Sequence, residues 1–472
     1  MRRVEEMVEQ ALGAAREFRG FNQQQTNRIV HAVYLAGLDE RVRLAKMAHE
    51  ETGMGRWEHK VIKNVIATQL VYEDIKDQRT VGVIASDPHN GIVEVAQPIG
   101  PILGFIPVTN PTSTTLFKAI IALKTRNPLI ISPHQMARRC TAAAAELCCR
   151  AAQRAGAPEH CIQWLAKPSP GVVDELMTHR RLALILATGT DALVRKAQMS
   201  GTPTIGVGPG NVPVYLGSTA DFDFAVRNIM ESKTLDNGTV CASEQSVVVK
   251  GVDLARAVEV FERHGAHFLS PAEAEAVGAV AYDPARGMMT AQVVGQSPQR
   301  IAELAGISVP EHARLLIARL EGVGREHPLS AEILAPILGL YVANDFDDAI
   351  ERCSEITRFG GVGHTAVLYS NRDERIEYFS RIVEAGRILV NMPAVQGALG
   401  GMYNTLSPSM TLSCGAGGNN ITTDNITARH LLNIHRITRR RPNPRWMSMP
   451  IERYLDESQD ARAIEAQFSR NF

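Results

Sequence analysis

PILGFIPVTNPTSTTLFKAIIALKTRNPLIISPH, residues 101–134, holds an apolar run (101–108), a stretch long enough for a helix (115–125) and a second apolar run, LIIS (129–132). Short apolar runs without polar alternation read as strands buried on both faces. Strand, helix, strand in that order predicts a parallel sheet covered by helices. The same rhythm continues outward through a helical stretch at 136–155 and the runs CIQWLA (161–166), LALILAT (182–188) and TIGVG (204–208). A second α/β rhythm runs from about 245 to 370. Upstream, residues 81–97 read as a β-hairpin, with Asn90-Gly91 as its turn and Val and Ile alternating on either side. Val4, Met7, Val8, Ala11 and Leu12 fall at helical spacing, which predicts a helix packed on its own domain. From Asn419 onward the chain turns polar and reaches Arg439-Arg440-Arg441-Pro442.

A chain of 472 residues exceeds one compact core and implies two or three domains. Lys plus Arg number 50 and Asp plus Glu 50, so no global field pulls the protein toward nucleic acid or an anionic membrane. No apolar run reaches the roughly 20 residues of a membrane span, and Met1-Arg2-Arg3 is followed by no apolar segment, so a cytoplasmic protein is expected. The seven cysteines are odd in number and lack zinc-ligand spacing. Free thiols and no metal are therefore expected.

Three places could carry chemistry. Gly206-Val207-Gly208-Pro209-Gly210 follows a strand but does not complete a dinucleotide fingerprint, and Gly360-Gly361-Val362-Gly363-His364 is a second tight turn; either serves equally well as a structural loop. Cys241 ends a polar, glycine-containing loop between a helical stretch and an apolar strand. A thiol there can be reached by solvent, although a lone cysteine is as readily an inert buried one. Asn110 lies where a strand ends and a helix begins. Its amide could donate to an oxyanion or simply shape the turn.

Several segments together resemble one family. They are KMAHEETGMG (46–55), KVIKN (60–64), residues 107–134, IGVGPGN (205–211), SKTLDNGTVCASEQSVVV (232–249), FGGVGHTA (359–366), RILVNMPAVQGALG (387–400) and PSMTLSCGAGGNN (408–420). From about residue 4 to about 440 the chain is similar to CoA-acylating aldehyde dehydrogenases, above all the aldehyde dehydrogenase half of bifunctional aldehyde–alcohol dehydrogenases. The resemblance implies an aldehyde dehydrogenase-like α/β fold. It has two open parallel-sheet domains, dinucleotide-binding (1–236) and catalytic (237–418), and a small β oligomerisation element made by the hairpin and residues 419–472. It also implies a homodimer or homotetramer, and no second catalytic half is expected after residue 472.

The chemistry carried over is specific. Cys241 would attack the aldehyde. Asn110 and the Cys241 backbone N–H would hold the oxyanion, and CoA would take the acyl group from the resulting thioester. His364 would move a proton or position substrate. Val207 takes the place of the glutamate base of hydrolytic relatives, which favours CoA over water as acceptor. Thr188 and Gly189 would face the pyrophosphate, Glu332 the nicotinamide ribose, and Ser132, Pro133, His134 and Gln135 the adenosine ribose, with Thr109 and Gly206 completing the cofactor site. Many NAD-selective relatives have a glutamate where Gln135 stands. Gln135 with Arg138 and Arg139 behind it leaves both NAD and NADP open. A small aldehyde such as acetaldehyde is the expected substrate. The alternatives are an acylating sulfoacetaldehyde dehydrogenase and, in another class, a non-catalytic relative of the fold.

Overall fold

The computed structural model describes residues 2–470. Residues 101–134 form the predicted unit: strand Ile102–Ile106, helix Pro111–Lys124 and strand Leu129–Pro133, the two strands parallel and in register from Ile102 on Leu129. The helix is buried along its whole length because it lies between the sheet and other helices. Its lysines cannot reach water and so donate to the protein. Lys118 Nζ bonds the carbonyls of Phe105 (2.6 Å) and Leu186 (2.9 Å) and the Thr188 hydroxyl (3.2 Å), tying two neighbouring strands together at their C-terminal ends. Burial lowers this amine to about 7.

Two parallel sheets carry the molecule. The first has five strands in the order Ile162–Trp164, Leu129–Pro133, Ile102–Ile106, Leu184–Thr188, Thr204–Val207. The second has seven, in the order Ala266–Phe268, Leu315–Arg319, Ile337–Ala343, Glu244–Lys250, Val212–Leu216, Gly363–Tyr369, Ala385–Val390. A third, antiparallel sheet joins the hairpin strands Gly82–Asp87 and Ile92–Pro98 to Leu432–Thr438, so the hairpin and the late segment form one arm. Helix Arg2–Phe18 buries Val4, Val8, Ala11, Ala14 and Phe18. Val4, Val8 and Ala11 share a core with Leu103 and Phe105 of the first sheet.

The expected division at residue 236 falls between two strands of one sheet, Val212–Leu216 and Glu244–Lys250. Strand Val212–Leu216 pairs with Glu244–Lys250 and Gly363–Tyr369, so the chain enters the second sheet within 208–211. The turn Leu235–Gly238 lies between helix Phe222–Lys233 and strand Glu244–Lys250. Where the last segment begins, Gln198 Nε2 donates to the carbonyls of Gly418 (3.4 Å) and Asn419 (3.1 Å). Among the described residues no helix is long and apolar enough to cross a membrane.

Candidate active site

The five-stranded sheet starts at Ile102–Ile106, builds outward on one side, then returns to add Leu184–Thr188 on the other. The connections after these two neighbouring strands diverge and leave a crevice at their C-terminal ends, where open α/β sheets bind ligands. Thr109 and Asn110 follow the first strand. Thr188 ends the second and Gly189 follows it, just before helix Asp191–Gln198, which Thr190 caps through Leu193 N (3.4 Å). A Cβ at Gly189 would lie 2.9 Å from Leu193 Cδ2, so a larger residue would crowd this turn. Ser132 and Pro133 are buried at the end of the adjacent strand, while His134 and Gln135 are exposed.

Gly206 has a structural use of its own. Its N–H donates to Asn420 Oδ1 (2.8 Å), and a Cβ there would stand 2.4 Å from Val194 Cγ1, so glycine lets helix Asp191–Gln198 pack on the strand. Val207 is buried and brings no acid group to the strand end. A carboxylate caps the helix that follows the 132–135 segment, supplied from far away in sequence. Glu51 accepts from Arg139 N (2.8 Å) and Cys140 N (2.6 Å) at the start of helix Arg138–Arg154.

Cys241 lies just past the turn Leu235–Gly238, in which Asp236 and Asn237 both have φ of 52°. That left-handed backbone is costly for residues with a Cβ and persists only where the surroundings hold it. The surroundings are two buried lysines. Lys60 Nζ donates to Asp236 Oδ2 (2.9 Å) and the Thr109 carbonyl (3.2 Å). Lys63 Nζ spends its three donors on Asp236 Oδ2 (2.6 Å), Asn110 Oδ1 (2.6 Å) and Thr239 Oγ1 (2.9 Å). Burial pushes Lys63 down to about 8 against the pull of Asp236. Burial pushes the Asp236 carboxyl up, and the two ammonium groups outweigh it, leaving the pKa lowered. One carboxylate thus joins the loop that carries Cys241 to the strand end that carries Asn110. The Asn110 amide donates to Thr109 Oγ1 (3.0 Å) and the Thr239 carbonyl (3.3 Å), while Lys63 occupies its oxygen.

Cys241 is partly exposed, whereas Cys140, Cys148, Cys149, Cys161, Cys353 and Cys414 are buried. Burial, with the Glu332 carboxylate next, pushes its thiol up to about 12. His364 Nε2 stands 3.3 Å from the sulfur, and its Nδ1 stands 3.0 Å from Thr365 Oγ1. Burial, then the nearby Arg387 guanidinium, takes His364 down to about 3, so the ring is neutral. Glu332 accepts from Gly210 N (2.9 Å), and burial raises it to about 7. A Cβ at Gly210 would fall 2.2 Å from the Cys241 carbonyl oxygen and 3.1 Å from the His364 ring, which is why glycine stands there.

The structure therefore gathers Cys241, His364, Asn110 and Glu332 where the two sheets meet, with Thr109, Thr188 and Gly189 at the crevice beside them. Sequence reading missed Lys60, Lys63, Asp236, Thr365, Arg387 and Glu51. KVIKN (60–64) was informative as a motif, but nothing local says that its lysines share a carboxylate more than 170 positions away. Among the described residues no group of three or more His, Cys, Asp or Glu could hold a metal ion.

This architecture, with a thiol at the crevice between two parallel sheets, is that of the aldehyde dehydrogenases. The chain matches the aldehyde dehydrogenase family over residues 1–405 and belongs to it. It is 44% identical over 453 residues to the bifunctional aldehyde-alcohol dehydrogenase of Escherichia coli (strain K12), covering 95% of this chain and 51% of that one. It thus spans about half the length of that relative. Among solved structures it is similar to an acetylating aldehyde dehydrogenase from Geobacillus thermoglucosidasius, with 42% identity, a TM-score of 0.91, and coverage of 94% of this chain and 98% of that one. It is also similar to a propionaldehyde dehydrogenase from Rhodopseudomonas palustris with bound CoA and an acylated cysteine, with 26% identity, a TM-score of 0.83, and coverage of 92% and 97%.

Proposed function

We propose that the chain is a CoA-acylating aldehyde dehydrogenase. It converts a small aldehyde, CoA and an oxidised nicotinamide dinucleotide to an acyl-CoA and the reduced dinucleotide, through a thioester on Cys241. The observation that carries this reading is the placement of one partly exposed thiol against a neutral imidazole, on a loop clamped to Asn110 by Lys63 and Asp236. The acylated cysteine and bound CoA of the Rhodopseudomonas palustris relative agree with it.

The crevice residues fit a dinucleotide. Thr188 and Gly189 sit at the start of a capped helix, Ser132 and Pro133 end the neighbouring strand, and His134 and Gln135 are open to a ligand. These groups, with Glu332 on the thiol side, would hold NAD or NADP, which supplies the hydride acceptor when bound. Gly206 contributes packing there, since Asn420 takes its amide.

The Cys241 thiolate adds to the aldehyde carbonyl carbon, and the oxygen takes up the charge. Asn110 Nδ2 and the Cys241 backbone N–H hold that oxyanion, for which the amide gives up its longer bond, the one to Thr239. Loss of hydride leaves the acyl group as a thioester on Cys241. Attack by the CoA thiolate then expels the Cys241 thiolate. Assaying a panel of small aldehydes with and without CoA tests the reading; product that forms equally well without CoA contradicts it. Asn110→Ala should lower turnover by roughly 10²- to 10³-fold, the usual effect of deleting one oxyanion donor. Near-normal turnover would leave Asn110 as a turn residue clamped by Lys63.

The arm made by Gly82–Asp87, Ile92–Pro98 and Leu432–Thr438 supports assembly as a homodimer or homotetramer. Gly82–Asp87 has an open edge, and Val83 and Ile437 are exposed, features a protein normally covers. Sedimentation at micromolar concentration should give at least a dimer; an active monomer would remove the assignment.

A further inference from the structure

We propose that Arg387 and Thr365 act as a positioning pair that fixes the His364 proton on Nε2, so that His364 donates to the Cys241 sulfur and does not take the thiol proton. This rests on Cys241 being the nucleophile and extends that reading to the side chains behind its partner.

A guanidinium has donors and no acceptor, so its contacts have a fixed direction. Arg387 Nη1 donates to the carbonyls of Ser413 and Thr423, both at 2.9 Å, which fixes the guanidinium. Its Nε then donates to Thr365 Oγ1 at 3.3 Å. Thr365 is 1% exposed, so its hydroxyl hydrogen cannot turn to water. Among the described residues its acceptor is His364 Nδ1, 3.0 Å away. With Nδ1 accepting, the ring proton of neutral His364 stands on Nε2, 3.3 Å from the sulfur.

The opposite tautomer would aim two donors at the Thr365 oxygen and strand its hydroxyl hydrogen inside the protein. Stranding a buried donor shifts such a balance by roughly 10- to 100-fold. A doubly protonated ring is opposed by burial first and by the Arg387 charge second. His364 is therefore a neutral donor, and thiolate charge is stabilised without an imidazolium partner. The Cys241 proton leaves to a buffer base or hydroxide, Cys241 being partly exposed. The same N–H receives the Cys241 thiolate again when CoA attack expels it.

The test is nitrogen NMR of the whole protein with ¹⁵N-labelled histidine, the His364 signals being picked out by their loss in His364→Asn. Wild type should show a protonated-type Nε2 and an unprotonated-type Nδ1. Thr365→Ser, which keeps the hydroxyl, should keep this pattern. Thr365→Val should lose the bias and lower the rate of the first reduction burst about tenfold at unchanged aldehyde KM, the size of one lost hydrogen bond. Proton on Nδ1, or on both nitrogens, in the wild type overturns the proposal, as does a Val variant with unchanged tautomer and rate. Should the Val variant not fold, the wild-type spectrum decides alone. Failure of the nucleophile or acceptor assignments shows instead as activity without Cys241 or without CoA, so the two kinds of failure are distinguishable.

Discussion

Cys241→Ala is expected to form no acyl-enzyme and to lose turnover by at least about 10⁴-fold, the scale seen when a covalent nucleophile is removed. Dinucleotide affinity should change little, because the crevice built by Ser132, Thr188 and Gly189 stands on the five-stranded sheet and the thiol belongs to the other body. Mass spectrometry after incubation with aldehyde and oxidised dinucleotide measures the first effect, and fluorescence titration the second. An acyl adduct that survives in the Ala variant would move the nucleophile elsewhere. A chemical counterpart is available because the other six cysteines are buried. Iodoacetamide should modify Cys241 first and abolish activity in step. Since burial and Glu332 hold this thiol up to about 12, thiolate is scarce at neutral pH and grows as pH rises. Alkylation should then accelerate about tenfold per pH unit between 7 and 9. A rate that is flat across that range would mean a thiolate already formed in the resting protein.

What the sequence made legible follows from how local each signal is. Residues 101–134 announced a strand, a helix and a parallel strand because apolar runs of strand length are visible without knowing their partners. Asn90-Gly91 marked the hairpin for the same reason. The run at 212–216 looks like the others, and nothing in it tells which sheet it joins; only its pairing with Glu244–Lys250 places it in the seven-stranded sheet. The site divides the same way. Cys241, Asn110 and His364 stood out through the family resemblance, and the structure places them together. Lys63 and Asp236 are sequence-distant, and a buried ion pair leaves no periodic trace. The same distance hid Glu51, which caps the helix beginning at Arg138. Gly206 also has a packing reason to be small, since a Cβ there would stand 2.4 Å from Val194 Cγ1.

Without CoA, aldehyde and oxidised dinucleotide should give one burst of reduced dinucleotide, close to one per Cys241, followed by near silence; CoA should restore steady turnover. The reason lies in which groups surround the thioester. Hydrolysis needs a base beside a water molecule, because neutral water attacks thioesters poorly. Val207 is buried and has no acid group. His364 offers the sulfur a neutral ring with no room for a second proton near neutral pH. Glu332 is the carboxylate that acts on the thiol, and it is tied to Gly210 N at 2.9 Å. CoA asks less of the site: its thiol ionises far more readily than water and is the better nucleophile toward a thioester, so the second half-reaction proceeds without a dedicated base. Stopped-flow absorbance measures the burst, and acid quench with mass spectrometry should find the acyl group still on Cys241 during the silent period. Steady formation of free acid without CoA would make Glu332 a working base and the enzyme a hydrolytic aldehyde dehydrogenase. In that case Glu332→Gln should abolish the hydrolysis while sparing the burst.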